Sequence, residues 1–472
     1  MQVRCVKSGR VRCAALPFPL LSLLGLLGPG GSALAQSAAP AAPIAQQIPP
    51  EPAAQPAQTG QLGLEEAVRM ALERNERALK APLRIKAAEG QLIRARSAFL
   101  PSLNADGGGV LSASDDRAGR AVSASGALTL NQPLLNLSAI PQYAQSRHQL
   151  ESERWGAAQD RRLVAFDTAR AFLVVLTSER VLEAANRRLE RARANQHDAE
   201  VRAKAQIAST NDVTRAVLET AAAAREVAQA QGSVARSYLQ LEFLVGQPVT
   251  KMLAAPSVTT EAAQSAGLGS DEMIRAAAER RPDIKSAQER TAALFQSAHE
   301  PLFRIAPTLS AIGQGRLTTS YLAPDPYYAG SVQLSLSWDI YDAGVRYGDR
   351  RTRLAQAESQ ALDERLLRRS VATDVSVALA SLAAARESYR IYEEAVVAAQ
   401  RNTSETEVLY KQGLARAIEL IDANARRYDA EVNRATAKLG MEQAYLELRF
   451  ALGLGPVEET ADGAAAPAGG VS

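Results

Sequence analysis

The charged residues with the most informative spacing are two carboxylates, Glu419 and Asp422. They stand three residues apart, so on a helix both side chains lie on one face. Gly413 precedes them and can supply the left-handed residue at which a helix ends, which places the carboxylates near the start of the next helix. Acidic side chains in that position complement the helix dipole. The spacing alone therefore leaves an ordinary helix-start pair and a functional carboxylate site as open alternatives.

Residues typical of catalytic or metal sites do not cluster in this sequence. The histidines, His148, His197 and His299, are far apart, and none belongs to an H-E-x-x-H arrangement. His148 and Glu151 share a helix face, and we interpret them as a solvated pair rather than as metal ligands. The Gly-Gln-Gly sequence at 313–315 precedes a strand hairpin and not a helix, which argues against a phosphate-binding loop. We predict no enzymatic activity, no metal site and no cofactor.

Residues 1–35 are predicted to be a secretory signal peptide. A short apolar run at 20–27 is followed by an A-x-A cleavage site at 33–35, and the basic residues before them are Arg4, Lys7, Arg10 and Arg12. A retained membrane anchor is the alternative, but the apolar run is too short to span a bilayer. Cys5 and Cys13 both precede the cut, so we expect the processed chain to have no disulfide and no lipid anchor on cysteine.

The net charge of the processed chain argues against nucleic acid as a partner. The whole sequence has 54 Lys and Arg against 51 Asp and Glu, and four of the basic residues lie in the predicted signal peptide. Removing them leaves 50 basic against 51 acidic residues, which is not the footprint of a nucleic-acid-binding protein. Residues 36–61 are rich in Ala, Pro and Gln and are predicted to be a linker, and 458–472 a flexible tail.

An internal repeat organises the rest of the chain. The sequence LGLEEAVRMALER begins at Leu62, and LGSDEMIRAAAER begins at Leu268. Later landmarks keep nearly the same separation, as Phe243 and Phe450 do. Such self-similarity indicates a duplicated structural unit. We predict a first repeat at 62–250, an inter-repeat linker at 251–267 and a second repeat at 268–457.

Each repeat is predicted to contain the same elements in the same order: a helical run, two strands, a very long helix and a shorter helix. In the second long helix, a coiled-coil seam is formed by Leu379, Leu382, Tyr389, Tyr392, Val396 and Ala399. More than sixty helical residues at about 1.5 Å each give roughly 100 Å, which suits a tube or rod. The first repeat gives helices at 64–99, 138–205 and 210–245 with strands at about 102–112 and 121–131; the second gives helices at 270–300, 344–411 and 415–452 with strands at 308–316 and 329–339.

The strand at 329–339 alternates apolar and polar side chains. Its apolar members are Val332, Leu334, Leu336 and Trp338, and its polar members are Ser331, Gln333, Ser335 and Ser337. For a single such strand, a soluble sheet with one solvent-exposed face is the better explanation. Four segments in symmetric positions after a signal peptide favour membrane strands, whose apolar side chains face lipid. Four strands cannot close a barrel, and an open sheet edge in lipid is costly. If the strands lie in a membrane, several copies must therefore share one barrel, and three copies would supply twelve strands.

In these features the chain resembles the TolC-type outer-membrane factors. The motifs are the repeat itself, FLPSL from Phe99, LSLSWDIYDAGVR over Leu334–Arg346 and YKQGLARAIELIDANARRYDAE over Tyr410–Glu431. The resemblance implies a mainly α protein with a membrane β-barrel. Its homotrimer would have a 12-stranded β-barrel in outer-membrane lipid of a Gram-negative bacterium and a 12-helix α-barrel in the periplasm.

The function that this resemblance implies is a passive exit channel of a tripartite efflux pump or a type I secretion system. Its partners would be a periplasmic adaptor protein and an inner-membrane transporter. The main alternative is a soluble periplasmic coiled-coil adaptor or scaffold, which shares the long helices and the signal peptide. An adaptor normally has one helical hairpin and β-sandwich domains, which fits two symmetric hairpins poorly.

The resemblance also assigns roles to residues at the helix turns. Glu419 and Asp422 match an acidic ring at the channel aperture, and Asp212 matches a network that holds the tip closed, with Tyr410 and Arg416 as its candidate partners. Gly413 marks the second helix turn, whereas the first repeat has Gln206 there. Other departures concern helix ends: Pro82 lies inside a helical run, and Pro301 is expected to break the second copy before its strand.

Overall fold

The computed structural model describes residues 61–113, 120–265, 271–320 and 323–457. The predicted signal peptide, most of the linker that follows it and the predicted tail lie outside these residues. The first repeat contains α1 (Leu64–Arg74), α2 (Glu76–Ser97), β1 (Ser102–Ala113), β2 (Arg120–Leu135), α3 (Ala139–Lys204) and α4 (Thr210–Val245). A short helix, α5 (Ser257–Ser265), is followed by α6 (Asp271–Arg280), α7 (Pro282–Phe303), β3 (Thr308–Ser320), β4 (Ala323–Ser337), α8 (Val345–Lys411) and α9 (Ala417–Ala451).

The long helices begin and end within two residues of their predicted limits. α3 has 66 residues and α8 has 67, so each is roughly 100 Å long. Leu379, Leu382 and Val396 of the predicted seam are buried, whereas Tyr392 is exposed. In the helices that the structure describes, no stretch is both long and apolar enough to span a lipid bilayer.

One expectation about helix ends was wrong. α7 continues through Pro301 to Phe303. Proline has no N–H to donate to the carbonyl of Ser297, and the guanidinium of Arg353 donates to that carbonyl instead, at 3.0 Å. The segment predicted as an inter-repeat linker contains α5 and also pairs with the start of the first repeat, where Leu62 donates to the Met252 carbonyl at 2.8 Å.

The four strands form one antiparallel sheet in the order β1-β2-β3-β4. The two hairpins have the same register: Leu103 pairs with Leu130 in the first, and Leu309 pairs with Leu336 in the second, each residue shifted by the repeat length. β4 ends at Ser337, so Trp338 lies just beyond the strand rather than inside it. The strands are otherwise longer than predicted.

The long helices lie side by side in the order α8-α9-α3-α4, which leaves α4 and α8 at the two edges of the layer. α7 packs against both α3 and α8, whereas its counterpart α2 packs against α3. One apolar core surrounds Phe166 and Phe172 of α3, and a second surrounds Val375 and Leu382 of α8. The two cores join the short helices to the long ones, and the helix turns at 205–209 and 412–416 extend beyond them.

Candidate functional site

The two helix turns, which we call the tips, close through the same hydrogen bonds. In the first tip the N–H of Ile207 donates to the carbonyl of Arg202 at 2.9 Å, and in the second the N–H of Leu414 donates to the carbonyl of Leu409 at 2.8 Å. This bond from beyond the helix end back into its last turn is a Schellman-type cap. The duplicated sequence therefore produces the same turn twice.

The residue that reverses the chain differs between the tips. Gly413 has φ of 78° and Gln206 has φ of 60°, so both adopt the left-handed conformation. Glycine does so without steric cost, whereas a residue with a Cβ is strained there. The first tip thus keeps the geometry although it lacks the glycine.

Each tip presents one exposed apolar side chain. Ile207 is 76% exposed and Leu414 is 73% exposed, and they occupy equivalent positions in the two turns. Sequence reasoning did not single them out, although the repeat alignment places them at equivalent positions. Both side chains lie at the end of the helices that is farthest from the sheet.

Tyr410 is buried at the base of the second tip, and its basic partner is Arg202 rather than Arg416. The guanidinium carbon of Arg202 lies 4.4 Å from the centre of the tyrosine ring, and its Nη1 donates to the Tyr410 carbonyl at 3.1 Å. Burial raises the pKa of the Tyr410 hydroxyl, the charge of Arg202 opposes this, and Asp198 and Asp212 add to the rise. Asp212 therefore lies in the electrostatic environment of Tyr410.

Arg416 does not join this cluster. Its side chain is exposed and has no hydrogen bond or ion pair within the described residues, although its backbone carbonyl accepts the N–H of Glu419 at 3.0 Å. Among the described residues Arg416 and Asp212 share no contact, and their partnership stays a prediction. Sequence reasoning missed Arg202, which reaches Tyr410 from another helix.

The two predicted aperture carboxylates have different surroundings. Glu419 is exposed in the first turn of α9. Asp422 forms an ion pair with Arg426 one turn later, with 2.9 Å between Oδ2 and Nη2. This partner stands four residues after the aspartate and was readable from the sequence. Because Arg426 balances the charge of Asp422, the group formed by Glu419, Asp422 and Arg426 carries less net negative charge than two free carboxylates would.

The sheet has one apolar and one polar face across all four strands. Leu103, Leu130, Gly313 and Val332 are successive cross-strand partners on one face. The adjacent row on the other face consists of Asn104, Thr129, Gln314 and Ser331. Leu334 and Leu336 lie on the apolar face with Val332, and all three side chains are exposed in the single chain.

Within the described part of the chain, no group of three or more His, Cys, Asp or Glu side chains is arranged to hold a metal ion. The predicted pairing of His148 with Glu151 was wrong. Nδ1 of His148 lies 2.8 Å from Glu289 of α7, and Glu151 accepts a hydrogen bond from Arg154 at 2.7 Å.

A charged cluster between the helices was also missed. Arg188 of α3 is buried and bonds to Glu219 at 2.9 Å and to Glu226 at 2.7 Å, both on α4. Its guanidinium also lies 5.0 Å from the ring centre of Tyr428 on α9. Nearby, Glu431 faces a cavity of about 680 Å³ between α3, α8 and α9. These contacts join the two helical hairpins.

Comparison with known proteins identifies the family. The outer membrane efflux protein family model matches residues 67–247 and 273–454, which correspond to the two repeats. The outer membrane protein TolC of Vibrio cholerae is 23% identical over 409 residues, covering 83% of this chain and 90% of that protein.

Solved structures show the same fold. CusC superposes with a TM-score of 0.73 at 16% identity, covering 83% of this chain and 92% of that one. The open state of the MtrE outer membrane channel of Neisseria gonorrhoeae gives a TM-score of 0.69 at 19% identity, covering 83% and 89%. The predicted TolC-type fold is confirmed, and the chain belongs to the outer membrane efflux protein family.

Proposed function

We propose that three copies of this chain form the exit channel of a tripartite efflux pump. The observation that carries the proposal is the four-stranded sheet with one continuous apolar face and two free edges. An open edge in lipid leaves backbone N–H and C=O groups without partners, which costs several kcal/mol for each group. Sharing the sheet between copies satisfies these groups, and twelve strands close a barrel with Val332, Leu334 and Leu336 toward lipid.

Trp338 suits the membrane boundary in this arrangement. It follows the last residue of β4, its side chain is largely exposed, and its Nε1 donates to the carbonyl of Ile305 at 2.9 Å. An aromatic ring with an apolar body and a polar edge is stable where lipid meets water. The bond fixes the indole beside the start of the sheet.

The channel performs no chemistry and conducts passively. The four long helices of each copy extend the barrel as a helical tube, and the tips form its far end. There Ile207 and Leu414 offer an apolar surface for a periplasmic adaptor, and an inner-membrane transporter supplies the energy. The ring of Glu419 and Asp422 at the aperture favours cations and repels anions, as charged rings do in other pores.

Two measurements test the proposal. The mass of the detergent-solubilised protein should equal three chains, whereas recovery from the soluble periplasm without detergent would support the adaptor alternative and overturn the channel proposal.

In planar bilayers, Glu419→Ala with Asp422→Ala should weaken cation selectivity without loss of assembly. Arg426→Ala is the matched control: it frees the Asp422 carboxylate and should strengthen the selectivity. Unchanged selectivity in both variants would leave Glu419 and Asp422 as an ordinary helix-start pair.

The tip cluster is tested separately in the same recordings. If Asp212 helps to hold the tip closed, Asp212→Ala should raise the leak conductance. Arg416→Ala is the comparison, because the Arg416 side chain has no hydrogen bond or ion pair among the described residues. A larger leak in Arg416→Ala than in Asp212→Ala would mean that Arg416 acts across copies and that Asp212 is not the closing residue.

A further inference from the structure

The cavity of about 680 Å³ between α3, α8 and α9, which we call the interhelical cavity, is lined by more basic than acidic side chains. Its volume lies in the range of small-molecule sites, which is about 300–1,000 Å³. When all of its charged groups are ionised, the lining has a net charge of +2. The basic residues are Arg180, Arg187, Arg427, Arg434 and Lys438, and the acidic residues are Glu183, Glu431 and Glu442.

The basic residues enter the interhelical cavity from α3 and α9, which run antiparallel. Nη2 of Arg187 donates to Glu431 at 3.0 Å, so these two residues lie at one level. Arg180 is about two helical turns before Arg187, and Lys438 is about two turns after Glu431, so they share a second level. Arg434 lies between the two levels. The positive charges therefore follow the cavity along its length.

Two arginines of the interhelical cavity have N–H groups available for a ligand. Arg427 bonds to Glu431 through Nε at 3.1 Å, and its two Nη groups have no acceptor among the described residues. Arg434 has no hydrogen bond or ion pair in the part of the chain that the structure describes. A guanidinium has five N–H donors in a planar fork that matches the oxygens of carboxylate and phosphate groups.

Arg191 shows that positive charge is in excess at the lower level. It lies one turn after Arg187 on α3, and its Nη2 is 3.9 Å from Glu431. Burial lowers the pKa of Arg191, and the charges of Arg427 and Arg187 lower it further, although Glu431 opposes them. Three arginines thus share one largely buried carboxylate, which does not balance their charge.

The other repeat packs its second hairpin helix without these cations. On the repeat alignment, Arg427 and Arg434 of α9 correspond to Thr220 and Val227 of α4. Val227 is buried in a small apolar cluster between α3 and α4. A hairpin with this backbone therefore needs no arginine at either position.

The charges that α3 contributes are reversed in the other repeat. Arg180 and Arg187 correspond to Glu387 and Glu394 of α8, and both glutamates pair with Arg390 on the protein surface. The two repeats have the same fold with opposite charges at these positions. The basic lining is therefore specific to the interhelical cavity and is not a requirement of the long helices.

We propose that the interhelical cavity binds a small multivalent oxyanion of the phosphate class, with Arg434, Arg427 and Arg187 as its donors. Charge-assisted hydrogen bonds from several guanidinium groups favour a doubly charged oxyanion over chloride. Arg434 has no competing acceptor, whereas the other two arginines are shared with Glu431. Because α3 and α9 belong to different helical hairpins, the anion ties the hairpins together. Its binding does not depend on conduction and is separate from the channel proposal.

Isothermal titration calorimetry of the detergent-solubilised protein with inorganic phosphate tests the proposal. The ionic strength is held constant with sodium chloride, so that saturable heat reports a site and not screening. We expect one phosphate per chain. Glycerol 3-phosphate in the same assay distinguishes the two sources of the ligand, because tighter binding of the ester would indicate a phosphate carried on a larger molecule. Absence of saturable binding of both probes would overturn the proposal.

Two substitutions should change the affinity for phosphate in opposite directions. Arg434→Gln removes a donor without breaking a bond and should weaken binding on the order of tenfold. Glu431→Gln removes the competing negative charge and should strengthen binding on the order of fivefold. The matched control is Arg193→Gln, which removes the same charge from an exposed arginine of α3 outside the cavity lining and should leave the affinity unchanged.

The melting temperature gives a second readout for the same variants. A ligand that binds only the folded state stabilises it, so phosphate should raise the melting temperature of the unsubstituted protein and have little effect on Arg434→Gln. Equal weakening of binding in Arg434→Gln and Arg193→Gln would mean a diffuse response to net charge and would overturn the site. Phosphate binding by a protein that forms no trimer would keep this inference and remove the channel proposal.

Discussion

The two repeats share a backbone but place their buried charges differently. Arg188 lies between α3 and α4 in the first repeat, where the second has Ala395. The second repeat has Glu431 and Glu442 facing the cavity between α3, α8 and α9, where the first has alanines at 224 and 235. The hairpins, turns and strand register are nevertheless the same. The apolar periodicity and the tips, which both repeats share, therefore account for the common backbone. The buried charges differ between the repeats without changing it.

The two repeats also differ in how much of their short helices the chain itself buries. The face of α7 is buried by the chain itself, and the equivalent face of α2 is left open. The following substitutions test the comparison between the two repeats, from the largest expected effect to the smallest.

Charged substitutions on the apolar face of the strands should give the largest effect, and the effect should be equal in the two repeats. Leu336→Arg and Leu130→Arg each place a charge on the apolar face, costing about 2–4 kcal/mol per copy near the bilayer midplane. Ser335→Arg and Thr129→Arg lie on the polar face and should assemble normally. The yield of heat-modifiable trimer in outer-membrane fractions measures this. Equal losses on both faces would mean that the apolar face is not in lipid.

Loss of the Arg188 guanidinium should destabilise the first hairpin. Arg188→Ala leaves the carboxylates of Glu219 and Glu226 without their partner, and we expect a loss of about 2–3 kcal/mol because both keep some exposure to water. Thermal unfolding followed by circular dichroism measures it. Arg390→Ala is the control in the second repeat, since that arginine pairs with Glu387 and Glu394 on the surface and should leave the transition unchanged.

Acid should act on the second repeat through two glutamates whose pKa values are shifted in opposite directions. Burial raises the pKa of Glu431, but hydrogen bonds from Arg427 at 3.1 Å and Arg187 at 3.0 Å outweigh it, so the pKa is lowered. Its contribution is present above the unfolded pKa of about 4.3 and is lost as pH falls through the folded value. Burial raises the pKa of Glu442 despite the bond from Thr260, so its ionised form opposes folding at neutral pH.

The measurement is the melting temperature as a function of pH for two variants. Glu431→Gln should lower it at pH 7 and reduce the loss of stability in acid. Glu442→Gln should raise it at pH 7, and this gain should vanish as pH falls through the raised pKa. A shift of the same sign in both variants at pH 7 would contradict the assigned directions.

The tips should give the smallest effect. Gln206→Gly relieves the left-handed strain and should stabilise the protein by about 1 kcal/mol, whereas Gly413→Gln should destabilise it by a similar amount. Exchanging both residues should leave the stability nearly unchanged. Urea unfolding checks the three variants. A loss of stability in Gln206→Gly would indicate that the glutamine side chain makes a contact between copies.

The sequence was most informative where local rules dominate. The duplication and the apolar period located the long helices within two residues, and strand alternation assigned the faces of β4. Contacts that depend on the packing of distant helices could not be predicted: Arg202 reaches Tyr410 and His148 reaches Glu289 from separate elements. Pro301 was misjudged because the compensating donor, Arg353, lies on a different helix. Pairs within one helix, such as Asp422 with Arg426, follow from sequence spacing.

The uninterrupted length of α3 also has a mechanical consequence. Its packed segment near Phe172 lies 32 residues, or about 48 Å, from the end of the helix at Lys204. Beyond that segment α3 packs along α4 and α9, so these helices tilt together and act as a lever. A tilt of a few degrees at the packed segment moves the tip by several ångströms without breaking a backbone hydrogen bond. Substitutions around Phe172 should therefore alter the aperture although they lie far from it.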